Sequence, residues 1–294
     1  MIETDQKTWT VLSLVNWSSG YLAGKGFEDP RLNAELLLSH VLWCGRIDLY
    51  ANFDKPLMPR DLAAYKSTFR RRLDHEPIQY IIGEAEFMGL RFLVDRRVLI
   101  PRPETEILAQ ELSQIFRSSA APSRSVLDIG TGSGNIAIFL AKSLDNVYVD
   151  AVDISSEALE VARANARRHG VEGRIRFQLC DVLKGDCSFP GERYDALVSN
   201  PPYIALSEFS TLAEEIRNFE PPLATTDRAD GLTFYGALGA AGKKVLSKGG
   251  RIFVEVADGQ ADRVRSIFQA LGYAEIEAVA DYNRTERVIK ARRM

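Results

Sequence analysis

Val126-Leu127-Asp128-Ile129-Gly130-Thr131-Gly132-Ser133-Gly134-Asn135 begins as an apolar run, turns through three glycines and enters a helix-forming stretch. A short apolar run bounded by glycine reads as a strand buried on both faces. Glycines at the turn let the backbone reverse tightly and approach a ligand with no Cβ in the way. The helix that follows presents unpaired N–H groups at its start, a seat for an anionic ligand group. A dinucleotide fingerprint has its third glycine three residues after the second. Here Asn135 holds that position, and the third glycine comes one residue early at Gly134. The spacing argues against NAD or FAD and for a ligand that meets the loop with a carboxylate.

Outward from this turn, strand and helix patterns alternate, the mark of a parallel, doubly wound sheet. Strands are expected at Ser125–Ile129, Val147–Val152, Ile175–Leu179, Tyr194–Ser199 and Arg251–Val256. Helices are expected at Ile136–Leu144, Ser156–His169, Leu232–Leu246 and Gln260–Leu271, with Gly170 and Gly272 as stop signals. Two last runs, Glu275–Val279 and Arg287–Ala291, suggest a closing hairpin and so a sheet that ends mixed. Asp153 ends the second strand, placed to accept from both hydroxyls of a ribose. Asp181 ends the third in the same way, where an adenine would lie. Either aspartate alone could equally be a turn residue. The ordered set of glycine loop, second-strand acid and third-strand acid resembles the class I S-adenosylmethionine-dependent methyltransferases. That resemblance implies a Rossmann-like α/β fold with a mostly parallel seven-stranded sheet, and S-adenosyl-L-methionine as cofactor.

The fourth strand ends in Asn200-Pro201-Pro202-Tyr203. Asn-Pro and Pro-Pro are common in simple turns, but this motif falls at the strand end that faces the ligand rim. Its chemistry suits a planar NH₂ group. Asn200 offers a side-chain carbonyl and Pro201 a backbone carbonyl, both acceptors. Consecutive prolines stiffen the backbone and hold those acceptors ready. Tyr203 offers a flat face for stacking. Two acceptors on the two N–H bonds leave the weak nitrogen lone pair aligned with a methyl donor, so alignment and electrostatics carry the catalysis. The motif suits adenine N6 in DNA, guanine N2 in RNA and glutamine N5 in protein alike.

The first part of the chain, to about Glu76, reads as helical, with apolar positions such as Val11, Leu14, Val15 and Leu32, Leu36, Leu37 at helical spacing. Asp29-Pro30 is patterned as an N-cap followed by proline at the first helical position. A third helix is expected from Asp61 to Leu73. Its Arg70-Arg71-Arg72 run is either a solvated end complementing the helix dipole or a contact for an acidic or phosphate-bearing partner. From Pro77, the residues Ile78, Tyr80, Ile82, Phe87, Leu90, Phe92 and Val94, with Gly83 and Gly89, suggest a β-hairpin bridging two domains. Pro101–Glu106 then opens an amphipathic helix ending near Ser118, followed by a loop at Ala120–Ser123. That opening segment is either a plain helix start with acids in its first turn or a wall of the site.

Glu76-Pro77-Ile78-Gln79-Tyr80-Ile81-Ile82-Gly83, Glu86-Phe87 and Leu99-Ile100-Pro101-Arg102-Pro103-Glu104-Thr105-Glu106 resemble the PrmC/HemK family. Asp128–Gly134, Asn200-Pro201-Pro202-Tyr203-Ile204 and Phe219-Glu220-Pro221 continue the match in order. The resemblance implies methyl transfer from S-adenosyl-L-methionine to the glutamine N5 of the Gly-Gly-Gln motif in class I peptide chain release factors. It implies a helical docking domain over residues 1–76, a hairpin linker over 77–100 and a catalytic domain over 101–294. Cofactor contacts are implied at Gly130, Thr131, Gly132, Ser133, Gly134, Asp153, Asp181, Val182 and Asn200. Asn200, Pro201, Pro202 and Tyr203 are implied to hold the glutamine. Asp281-Tyr282-Asn283-Arg284 and Val256–Gly259 depart from the family pattern, away from the expected chemistry.

Composition narrows the rest. At 294 residues, with 46% hydrophobic and 26% charged, the chain is an ordinary globular protein long enough for two domains. A net charge of -3 offers no global field for a polyanion, which counts against a DNA adenine or RNA guanine methyltransferase. A cofactor-binding module without activity is disfavoured because both the glycine loop and Asn200–Tyr203 are intact. Cys44, Cys180 and Cys187 form no metal-ligand spacing and cannot all pair, which fits a reducing compartment. His40, His75 and His169 receive no role, and no metal is expected. Met1–Asp5 carries acids where a signal peptide would carry bases, and no apolar run reaches membrane-spanning length. The expectation is a cytoplasmic monomer with no membrane and no direct nucleic-acid partner.

Overall fold

The computed structural model describes residues 8–118, 123–185, 187–189 and 193–294. The readings of Met1–Asp5 and of Ala120–Pro122 lie outside the described residues. The chain divides into two units between Gly83 and Glu84. In the first, helices α1 (Val11–Gly24), α2 (Pro30–Leu42), α3 (Arg46–Ala51), α4 (Pro59–Leu73) and α5 (Ile78–Ile82) enclose a core that includes Leu14, Leu22, Leu37, Leu38 and Phe69. A capping box starts α1: Thr10 Oγ1 accepts from the Ser13 amide at 3.2 Å and Ser13 Oγ from the Thr10 amide at 2.8 Å. At α2 the expected cap differs. Asp29 sits at the N-cap in the left-handed region, φ 45°, and makes no side-chain cap, so Pro30 alone sets the helix start.

Two further readings in this unit change. Of the arginine run, Arg72 is neither solvated nor free for an anion. It is buried, donates to Asn33 Oδ1 at 2.6 Å and to the Glu76 carbonyl at 3.1 Å, and lies over the Phe27 ring. Arg71 pairs with Glu76 at 2.7 Å. The run Ile78–Ile82, expected as the first strand of the hairpin, is a helical turn. Pro77 accepts from the amides of Tyr80 and Ile81, and Gly83 ends the turn at φ 83°. Five apolar-rich residues satisfy either period, so the flanking proline and glycine decide.

The second unit opens with a hairpin, β1 (Glu84–Phe87) and β2 (Leu90–Leu93), joined by Met88 and Gly89, both at positive φ as a tight hairpin turn requires. Then come α6 (Pro103–Arg117), β3 (Arg124–Ile129), α7 (Asn135–Ser143), β4 (Val147–Asp153), α8 (Ser156–His169), β5 (Ile175–Leu179) and β6 (Tyr194–Ser199). Three short helices follow, α9 (Leu206–Phe209), α10 (Glu214–Phe219) and α11 (Pro222–Thr225), before α12 (Thr233–Val245), β7 (Leu246–Glu255), α13 (Ala261–Ala270), β8 (Tyr273–Ala280) and β9 (Glu286–Arg293). The sheet runs β5-β4-β3-β6-β7-β9-β8, parallel through β7, with β9 and β8 antiparallel. This is the mixed seven-stranded sheet the alternation predicts. The hairpin is fastened to α8 by Asn165, whose side chain accepts from the Leu93 amide at 2.7 Å and donates to the Leu93 carbonyl at 3.0 Å. Cys180, just after β5, is joined by a disulfide to Cys187, and Cys44 is free. The reading of the cysteines as a reduced set therefore changes. Their Cα atoms lie 5.7 Å apart at a sequence separation of seven, within the range a disulfide spans.

Candidate active site

The carboxyl ends of β3, β4 and β6 and the chain after β5 open on one cavity of about 280 Å³. Ligands in open α/β sheets bind on this side, where the strand order reverses, here between β3 and β6. Gly130, Asp153, Asp181 and Val182 line the cavity from one direction, Asn200, Pro201 and Pro202 from another. Of the remaining predicted set, Thr131, Ser133 and Gly134 are buried in the turn, and Gly132 and Tyr203 are partly exposed.

These residues shape the turn. Thr131 Oγ1 donates to Asp128 Oδ2 at 2.7 Å beneath the sheet edge. Asp128 has no solvent exposure, and burial pushes its carboxyl up to about 7. Gly134 caps α7 at φ 81°, and a Cβ there would come within 3.0 Å of Ile138 Cδ1 and 3.2 Å of Ala162 Cβ. Its glycine is required by helix packing as much as by any ligand. Asp153 has two tasks. Oδ2 accepts from the Gly132 amide at 2.9 Å, pinning the glycine turn to β4, and Oδ1 accepts from the Ser155 amide at 2.9 Å. Burial raises this carboxyl too, against the backbone hydrogen bonds that lower it. Asp181 caps the turn after β5 by accepting from the Leu183 amide at 3.1 Å.

Asn200 leaves β6 directly after Ser199, whose Oγ donates to the Ile129 carbonyl at 2.7 Å and so ties the two strand ends together. Its Nδ2 donates to Thr105 Oγ1 at 2.9 Å. Thr105 Oγ1 in turn donates to Glu255 Oε2 at 2.6 Å, and the Tyr203 hydroxyl donates to Glu255 Oε1 at 3.1 Å. Glu255 is wholly buried, and its carboxyl is pushed up to about 7. Tyr203 packs against the core beneath the sheet, its backbone carbonyl held by Gln260 Nε2 at 2.9 Å. Its hydroxyl bond to Glu255 and its packing brace the motif, while the side chain stays partly exposed. Pro101–Glu106 satisfies both of its readings. Pro103 starts α6 with Glu104 and Glu106 in the first turn, while Pro101, Arg102 and Thr105 wall the cavity. Arg102 pairs with the buried Glu220 at 2.5 Å, so the segment before α11 is anchored across the site.

Thr105, Glu255 and Arg102 are the site members that sequence reasoning left without a role. Thr105 and Glu255 lie 95 and 150 residues from their partners, and nothing in a local pattern pairs them. The signal available was weaker: an acid at the end of the fifth strand, on the same rim as Asp153.

The PrmC N-terminal domain model matches residues 13–83, and a methyltransferase domain model matches residues 121–284. A release factor glutamine methyltransferase of Chlorobaculum tepidum is 43% identical over 288 residues, covering 96% of this chain and 97% of that protein. One of Bacillus subtilis is 38% identical, over 96% of this chain and 97% of that protein. Among solved structures, a methyltransferase from Pyrococcus furiosus superposes with a TM-score of 0.50 at 16% identity, over 77% of this chain and 98% of that one, a likeness of fold.

Proposed function

The chain belongs to the release factor glutamine methyltransferase family, and on that premise we propose how its own residues perform the transfer. It is an S-adenosylmethionine-dependent protein-glutamine methyltransferase. The acceptor is the side-chain N5 of the glutamine in the Gly-Gly-Gln motif of class I release factors. The observation that carries the reading is that Asn200, Pro201 and Pro202 share one cavity with Gly130, Asp153 and Asp181.

The residues present fit S-adenosyl-L-methionine. Asp153 keeps acceptor capacity for ribose hydroxyls after taking the Gly132 and Ser155 amides, because a carboxylate offers about four lone-pair sites. Val182 and Leu183 bring apolar surface beside Asp181, suited to a planar base. The turn from Gly130 to Gly134 holds the amino-acid end. The bound cofactor supplies an electrophilic methyl group. Asn200 Oδ1 and the Pro201 carbonyl accept the two N–H bonds of the glutamine amide, which presents its nitrogen to that methyl. Pre-set acceptors cost no reorganisation at the moment of transfer, the usual source of large rate effects. The nitrogen becomes acidic as the new bond forms, and its proton leaves to water or through Asn200.

Residues up to Gly83 are proposed to dock the release factor. Supporting this, Trp43 at the end of α2 is 89% exposed and Ile47 in the first turn of α3 is 83% exposed, far more than apolar side chains need be in a small helical unit. No helix among the described residues is long and apolar enough to cross a membrane. We place the protein in the cytoplasm, where release factors work, acting as a monomer without direct nucleic-acid contact. The test incubates the enzyme with methyl-labelled cofactor and either a cognate release factor or DNA, and maps label by mass spectrometry. Label on the Gly-Gly-Gln glutamine is expected. Label on adenine, or none on the glutamine, overturns the reading.

A further inference from the structure

An asparagine amide is nearly symmetric in shape, so its two ends are told apart only by what they touch. At Asn200 the difference matters. With Oδ1 toward the cavity the side chain accepts from an NH₂ group, and with Nδ2 there it opposes one donor with another. Thr105 and Glu255 make the choice. Glu255, as a carboxylate, only accepts, so the single hydroxyl proton of Thr105 is committed to Oε2. Thr105 Oγ1 then has only lone pairs to offer Asn200, and it takes the Nδ2 proton. Oδ1 is left for the cavity that Asn200 and Thr105 both line.

We infer that Glu255 and Thr105 form a directional hydrogen-bond relay that sets the amide of Asn200 with its oxygen toward the acceptor glutamine. Both are positioning residues, acting through Asn200 from two different elements, the first turn of α6 and the end of β7. The inference rests on Asn200 being the amide acceptor proposed above. Glu255 also holds the Tyr203 hydroxyl, so one carboxylate orients both ends of the Asn200–Tyr203 motif. The other groups bearing on it are Glu104 and Arg287 by charge and Tyr235, whose hydroxyl donates to its backbone carbonyl at 2.9 Å.

The test uses the full chain with release factor as substrate and four variants, Thr105→Val, Thr105→Ser, Glu255→Gln and Asn200→Ala. Thr105→Val keeps the volume and removes the hydroxyl, and Thr105→Ser restores it. Thr105→Val and Glu255→Gln are expected to lower kcat on the order of 10- to 100-fold, the usual effect of losing an orienting partner. The KM for release factor and the calorimetric Kd for S-adenosyl-L-methionine are expected to stay within about threefold of wild type, and Thr105→Ser to recover kcat to that range. A merely structural role would move affinity along with rate and would not be rescued by the hydroxyl alone. Thr105→Val with wild-type kcat, or Thr105→Ser as slow as Thr105→Val, overturns the relay. Asn200→Ala separates the two levels: if it turns over normally, the acceptor assignment fails. If it is inactive while Thr105→Val is normal, only the relay fails.

Discussion

Burial raises the carboxyl of Glu255 from the ordinary 4.5 to about 7, the hydrogen bonds from Thr105 and Tyr203 offsetting only part of the lost hydration. The folded chain therefore holds this proton over a pH range in which the unfolded chain has released it. Stability is greatest below pH 4.5 as far as this group is concerned and declines as pH rises from there through about 7. The full window corresponds to roughly 3 kcal/mol as an upper figure. Activity should run the opposite way, since the relay needs the ionised form. Urea titrations of wild type between pH 5 and 8 should show stability falling with pH, and Glu255→Gln should show a shallower fall. Asp128, raised to a similar value, retains its own share in both proteins. An identical slope in the variant would mean that Glu255 does not titrate in this range. That a carboxyl is kept in so unfavourable a place, where Gln has nearly the same shape, is explained by its task of accepting from two donors at once.

At the scale of elements, α4 shows that position overrides residue type. Its last turn carries three arginines that look interchangeable in sequence, yet Arg70 is exposed while Arg72 is a buried bolt between Asn33 of α2, the Glu76 carbonyl and the Phe27 ring. Removing one partner of a buried charged hydrogen bond leaves the other unsatisfied. Arg72→Ala should destabilise the helical unit by about 3 kcal/mol and Arg70→Ala by less than about 0.5 kcal/mol, read from denaturant midpoints. Equal effects would contradict the assigned roles. Helix periodicity correctly announced α1, α2 and α4 but was blind to which arginine turns inward, because α4 lays its apolar and basic residues on overlapping faces. The short helices α9, α10 and α11 left no periodic trace at all. A segment of four to six residues is too brief to display a period, and tertiary contacts such as Arg102–Glu220 hold it in place.

At the scale of the molecule, the proposed function divides between two units: a cavity for a planar amide in the second, and a docking surface for the protein carrying it in the first. A cavity open to one side chain cannot by itself distinguish one glutamine from another, so affinity for the whole release factor has to come from elsewhere. Exposed aromatic and aliphatic anchors are where binding energy concentrates in protein interfaces. Replacing Trp43 and Ile47 together by serine should raise the KM for intact release factor by about tenfold or more. Turnover of a short glutamine peptide should be unchanged. A KM unaltered for the intact factor would remove this surface from docking.

What the sequence determined by itself is whatever depends on neighbours in the chain. The strand–glycine–helix turn at Ile129–Asn135, the acids at the end of β4 and just after β5, and Asn200-Pro201-Pro202 at the end of β6 are all local patterns. A parallel sheet then carries their strand ends to one rim by topology alone. Tertiary structure decided the rest: that Tyr203 ties its hydroxyl to Glu255, that Cys180 meets Cys187, and that Asp153 pins the glycine turn while lining the cavity. Above all it brought Thr105 and Glu255 to Asn200 from 95 residues upstream and from β7. The reason is physical. Backbone preference and hydrophobic period act over a few residues, whereas a buried hydroxyl or carboxyl finds its partner only when distant elements have packed and water has been excluded.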